Sequence, residues 1–165
     1  MNSIKNNSLF VNLTEEQIAF VESKTFPRRF SAGEAIIKEN SVGSSMYILV
    51  KGQILIEKEL IPIIEGFKTH PDDKKIIKID DSMNYFFGEM SLFDQSLKRT
   101  ATILAFSDVE LLEIDGENFD MILNSRQDIG VILLKNIGLK LSLLLDKSNV
   151  ELAKMITAFT ISLKL

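Results

Sequence analysis

Apolar and polar positions change their rhythm twice along the chain, and the changes divide it into three stretches. Residues 1–12 are polar and Asn-rich, and read as a loose leader. Thr14-Glu15-Glu16-Gln17 has capping-box spacing, with Thr14 as the cap and Gln17 reaching back. Behind it Leu13, Ile18 and Val21 predict a short amphipathic helix that Pro27 ends. From Phe30 to about Ile114 the period becomes strand-like. Its runs are Ala35–Lys38, Met46–Val50, Ile54–Ile56, Ile76–Ile79, Ala101–Leu104 and Val109–Leu112. Gly33, Gly43 and Gly52 punctuate them where turns are needed. Many short strands at regular spacing predict a sandwich or small barrel. The stretch Pro62–Lys75 interrupts the rhythm and reads as an extended loop.

After Asp115 the period is helical. Phe119, Ile122 and Leu123 predict a short helix. A longer one runs from about Asp128 to Leu145, with Leu134, Ile137, Leu141 and Leu144 as its stripe. Val131, Ile132, Leu139, Leu143 and Leu145 lie off that stripe, so this helix should be covered on more than one side. Ser148-Asn149-Val150-Glu151 has capping-box spacing too. Leu152, Ile156, Phe159 and Leu163 then form either a separate helix or a continuation. The predicted class is mainly β with flanking helices (α+β), arranged as a leader (1–12), a β domain with flanking helices (13–127) and a C-terminal helical segment (128–165).

Composition narrows the chemistry. The 165 residues suit one domain, and 45% hydrophobic content with 11 Phe is enough for a full core. The chain has no cysteine and one histidine, His70. Thiolate and multi-histidine metal sites are therefore excluded, and neither a metal nor a cofactor is expected. His70 sits in a Pro/Asp-rich loop and reads as solvated, as does the Asp72-Asp73/Lys74-Lys75 cluster. A net charge of −4, in mixed-sign pairs, argues against nucleic acid as a partner. The start carries no signal peptide or membrane-spanning run, and a cytoplasmic location is the default.

The most informative stretch is Phe87-Gly88-Glu89-Met90-Ser91-Leu92, followed by Arg99-Thr100-Ala101. Glycine lets the backbone approach a ligand closely. A carboxylate at 89 can accept hydrogen bonds from hydroxyls. A guanidinium at 99 offers a planar, permanently charged fork suited to a phosphate. The two could equally form a structural ion pair, although a buried pair is often no more stabilising than apolar packing.

This stretch, FGEMSLFDQSLKRTATI, resembles the phosphate-binding cassette of the cyclic-nucleotide-binding domain family, which includes the catabolite activator and the kinase A regulatory subunits. Upstream, PRRFSAGEAIIKENSVGSSMYILVKGQILI is similar to that family's first strands. Downstream, FSDVELLEIDGENFDMIL resembles its last strand and the helix that follows. The resemblance spans roughly Leu13 to Leu145 and implies a jelly-roll β-barrel with N-terminal and C-terminal helices.

The resemblance further implies a sensor of cyclic AMP or cyclic GMP, with cyclic AMP favoured, that has no catalytic activity. By position, Glu89 takes the ribose 2′-hydroxyl and Arg99 the cyclic phosphate. Gly88, Met90 and Ser91 supply backbone donors, and Thr100 a hydroxyl. Leu141, Leu144 and Leu145 become lid residues of a C-terminal helix closing over the base. That helix is also expected to form a homodimer and to signal to an unidentified downstream protein.

The chain departs from the family pattern at Lys98, where many members have proline, in the long 62–75 loop, and at Asp80–Asn84, which lacks the usual glycine. Two rival readings are an interaction module that has lost its ligand and an enzyme on a similar barrel. The second lacks a ligand set or nucleophile–base pair. A catabolite-activator-type transcription factor is not expected, because about twenty residues after the long helix are too few for a helix-turn-helix.

Overall fold

The structure is a computed structural model, and it describes residues 4–59, 74–93 and 98–163. Among the described residues, eight strands form two antiparallel four-stranded sheets. The first has the order β1–β8–β3–β6, from Phe26–Phe30 (β1), Ser45–Lys51 (β3), Phe86–Phe87 (β6) and Val109–Asp115 (β8). The second has the order β2–β7–β4–β5, from Ala35–Ile37 (β2), Gln53–Glu59 (β4), Lys74–Asp80 (β5) and Thr102–Ala105 (β7). The α-helices of the described residues flank them: α1 (Glu15–Glu22), α2 (Met90–Phe93), α3 (Gly116–Ser125) and α4 (Gln127–Ser162). This is the expected mainly β architecture with flanking helices, a jelly roll.

Alternation along the strands of the first sheet explains why that sheet is apolar on both faces. Leu49, Phe87, Val109 and Leu111 face the second sheet and pack on Ile37, Ile54, Ile79, Ile103 and Ala105. Their neighbours Met46, Ile48, Phe86 and Ile114 point the other way. There they meet Ile18 and Val21 of α1, Phe119 and Ile122 of α3, and Ile129, Leu133 and Ile137 of α4. The first sheet is thus the middle layer of three.

Local signals explain most boundaries. The Thr14 capping box forms as expected: Thr14 Oγ1 accepts from the Gln17 amide, and Gln17 Oε1 accepts from the Thr14 amide. Asp115 caps α3 through the Asn118 amide. Two strands escaped the periodicity. Strand β1 contains Pro27, which is tolerated because β1 lies at the edge of its sheet. Strand β6 is only two residues long. The turn before it, which lacks the glycine expected from the family pattern, is a 3-10 turn at Asp81–Met83. Asn84 closes that turn with φ +49°, a left-handed conformation that asparagine accepts more readily than most residues.

Expectation and structure differ at the start of the chain, and the open question at its end is resolved. Residues 4–12 are no loose leader: they make two 3-10 turns, and Leu9 and Phe10 are fully buried in the helix-side core. The extended loop expected at 62–75 falls outside the described residues, His70 included, except for Lys74 and Lys75, which belong to β5. The last two helical segments are one continuous helix, α4. Past Leu144 the large apolar residues of that helix are exposed rather than covered by the described residues.

Candidate functional site

The cassette is built where β6 ends. Gly88 follows it with φ +82°, in the left-handed region that favours glycine, and this turns the chain from the strand into α2. Ser91 Oγ donates back to the Gly88 carbonyl at 2.9 Å, and the Leu92 amide to the Glu89 carbonyl at 3.0 Å. Arg99 returns to this turn from the far end of the cassette. Its backbone is clamped by the Arg99 amide to the Ser41 carbonyl and by the Asn40 amide to the Arg99 carbonyl, both at 2.9 Å.

The Arg99 guanidinium threads between two glycines. A Cβ on Gly88 would come within 2.9 Å of its Nη1, and one on Gly43 within 3.0 Å of its Nη2. Those nitrogens donate to the carbonyls of Gly88 at 3.0 Å and Ser45 at 2.8 Å. The side chain is thereby aimed by backbone groups, with no carboxylate of the described residues in an ion pair with it. Burial lowers the pKa of Arg99, while nearby Tyr47, Glu113 and Glu89 support its charge. Arginine nonetheless stays cationic throughout the ordinary pH range.

Glu89 and Arg99 are both buried, 4% and 8% exposed, and both line one cavity of about 190 Å³. The alternative of a Glu89–Arg99 ion pair does not hold. Glu89 Oε2 instead accepts from Lys140 Nζ of α4 at 3.0 Å. Gly88, Met90, Ser91 and Thr100 also line the cavity, as does Lys98. Its remaining wall is apolar, from Ile37, Ile56, Ile103 and Phe87, with Tyr85 beside Lys140. Burial pushes the Tyr85 phenol up to about 12, helped by the nearby Glu89 charge.

Of the three expected lid residues, only Leu144 reaches the cavity. Leu141 packs partly buried against the helix-side core, and Leu145 is 62% exposed and away from the cavity lining. The cause is helix geometry: Lys140 and Leu144, four residues apart, share the face turned to the cassette. The sequence reading missed Lys140. Its signal was a lysine three residues after Ile137 and four before Leu144, on the face that packs.

The site can therefore present a buried carboxylate, a backbone-aimed guanidinium and an apolar wall to one small molecule. Comparison with known proteins points the same way. The chain is 29% identical over 120 residues to cGMP-dependent protein kinase, isozyme 1, of Drosophila melanogaster, covering 72% of this chain and 14% of that protein. It is 29% identical over 121 residues to the cAMP-dependent protein kinase regulatory subunit of Blastocladiella emersonii, covering 73% and 27%. This chain thus spans only a minor part of either relative. The catabolite activator protein of Thermus thermophilus shares the fold, with a TM-score of 0.74 at 22% identity over 90% of this chain and 63% of that one. The family profile described as "Cyclic nucleotide-binding domain", a regulatory rather than catalytic module, matches residues 27–126. That match covers more than half of the sequence, and the chain belongs to the cyclic nucleotide-binding domain family.

Proposed function

We propose that this chain is a sensor that binds a cyclic nucleoside monophosphate in the Glu89–Arg99 cavity and reports occupancy through α4. The observation that carries this reading is that a buried carboxylate and a buried guanidinium open onto one cavity without pairing with each other. Arg99 takes the cyclic phosphate through its planar fork. Glu89 accepts the ribose 2′-hydroxyl. Gly88 lets the backbone come close, and Met90, Ser91 and Thr100 complete the polar rim. The base lies along the apolar wall with Leu144 over it. No cofactor takes part.

Cyclic AMP is favoured over cyclic GMP because the wall remote from the cassette is apolar, and Thr100 alone does not discriminate between the bases. Relatives named for each nucleotide make both necessary in the titration. Signalling works by population shift: a ligand that prefers one placement of α4 moves the equilibrium toward it. The reading also includes a cytoplasmic location, an unidentified downstream protein and a homodimer formed through α4. Among the described residues, no helix is long and apolar enough to cross a membrane.

The test is calorimetric titration of the wild type and R99A with cyclic AMP and cyclic GMP. R99A is expected to lose at least roughly tenfold in affinity, as losing a charge-assisted contact implies. Wild-type affinity in R99A would remove the assignment. A rise in melting temperature with either nucleotide separates the sensor from a scaffold that has lost its ligand.

A further inference from the structure

Lys140 occupies the carboxylate that a ligand hydroxyl requires. Its Nζ donates to Glu89 Oε2 at 3.0 Å and to the Phe86 carbonyl at 2.5 Å. It also lies 4.1 Å from the ring centroid of Phe86 and 4.5 Å from that of Tyr85. The Lys140 and Glu89 side chains are only 13% and 5% exposed. An ammonium held by a carboxylate, a carbonyl and two ring faces is strongly fixed, and separating it from its partner leaves a buried charge. One partner belongs to α4 and the other to the cassette turn, so the pair ties the helix to the cassette.

The size of the cavity points the same way. At about 190 Å³ it is smaller than the ~300–1,000 Å³ typical of small-ligand sites. The part of its wall that α4 contributes is Lys140 and Leu144. A nucleoside with its cyclic phosphate needs that wall to shift.

We infer that Lys140 is a gating residue: its ammonium holds Glu89 and α4 in a ligand-free arrangement, and a ligand hydroxyl must displace it before the site can fill. This inference rests on reading the cavity as a cyclic-nucleotide site. Displacement of Lys140 then links occupancy to a new placement of α4, because the group that vacates Glu89 is carried by that helix. The free energy needed to open the pair lowers apparent affinity, as expected wherever the competent state is a minor population.

The test compares wild type, K140M and K140Q, each confirmed as folded by circular dichroism. K140Q retains an N–H donor for the Phe86 carbonyl and carries the test if K140M does not fold. Two measurements are made: calorimetric titration with cyclic AMP and cyclic GMP, and amide hydrogen exchange without nucleotide. The variants are expected to bind roughly fivefold tighter or more, the scale of an ordinary coupling between sites. Their amides over 86–91 and 137–145 should exchange faster than in the wild type. Nucleotide binding by the wild type with no gain in the variants overturns the gate alone. Unchanged exchange in both segments overturns it as well, whatever the affinities. Absence of binding in all three proteins overturns the cyclic-nucleotide reading, and the gate with it.

Discussion

Tyr85 gives the site a titration signature of its own. Burial raises its phenol to about 12, so in the folded protein it keeps its proton after the unfolded chain has released it near pH 10. Its contribution to stability is therefore complete below about pH 10 and is lost as pH rises toward 12. The loss should be on the order of 2 kcal/mol. Lys140 acts in the opposite direction, since burial lowers its pKa and its ammonium is given up earlier in the folded state than in the unfolded one. Comparing wild type with Y85F cancels the lysine contribution to first order. In urea unfolding at pH 9, 10, 11 and 12, the wild type should lose stability relative to Y85F across the last two steps. Parallel curves would show that the phenol is not shifted. At this scale the sequence revealed only part of the site. Gly88, Glu89 and Arg99 could be identified because glycine, carboxylate and guanidinium stand in a short, ordered pattern. Lys140 could not, because its partner is 51 positions away and only the docking of α4 brings them together.

Among the elements, the N-terminal turns depart furthest from the sequence reading. A run rich in Asn and Ser has neither helical nor strand period, yet Leu9 and Phe10 are fully buried. They are anchored by polar groups that periodicity does not register. Asn7 Oδ1 caps the second turn through the Leu9 amide, and Asn7 Nδ2 donates to the Tyr85 carbonyl at 3.2 Å. Asn136 Nδ2 of α4 donates to the carbonyls of both Leu9 and Val11 at 2.8 Å. The segment thus joins the base of the cassette strand to α4. Truncating Phe10 to alanine should cost about 3–5 kcal/mol, the usual range for emptying a buried aromatic site. A chemical-denaturation midpoint like that of the wild type would restore the loose-leader reading. The strands were more legible. Six of the eight were marked by apolar runs between glycine-punctuated turns, and the two missed are a proline-bearing edge and a two-residue pairing. On α4, the expected stripe of Leu134, Ile137, Leu141 and Leu144 shares Ile137 with the buried one through Ile129, Leu133 and Ile137, and it misplaces Leu134, which is exposed. With apolar residues nearly all round the helix, its period leaves the buried face undetermined.

At the scale of the molecule, α4 outgrows the domain it closes. Residues 145–162 carry roughly 27 Å of helix past Leu144, the last α4 residue to line the cavity, at 1.5 Å per residue. Most helical stability in proteins comes from packing of an apolar face, and this segment leaves Leu145, Leu152, Ile156, Phe159 and Leu163 exposed. Their spacing follows a seven-residue seam, with Leu145, Leu152 and Phe159 at d and Asn149, Ile156 and Leu163 at a. Ile156 at a, Leu145 and Leu152 at d, and an asparagine at a that pairing would bury favour two parallel strands in a fixed register. A second copy of the chain would supply the matching seam and cover both apolar stripes together, as the proposed homodimer requires. The seam starts only five residues beyond Lys140, so a displacement of that lysine would travel along one continuous helix into the pairing. Sedimentation velocity should therefore find twice the chain mass of 18.6 kDa at micromolar concentration. Replacing Leu152 and Phe159 together with glutamate puts two like charges into each strand of the seam. The double variant should sediment as a monomer and lose helical ellipticity, while the barrel keeps its near-ultraviolet signal. N149V should remain paired and melt higher, because the buried amide contributes register at a cost in stability. A wild type that stays monomeric at high concentration would leave the stripe to another partner and remove the dimer from the signalling scheme.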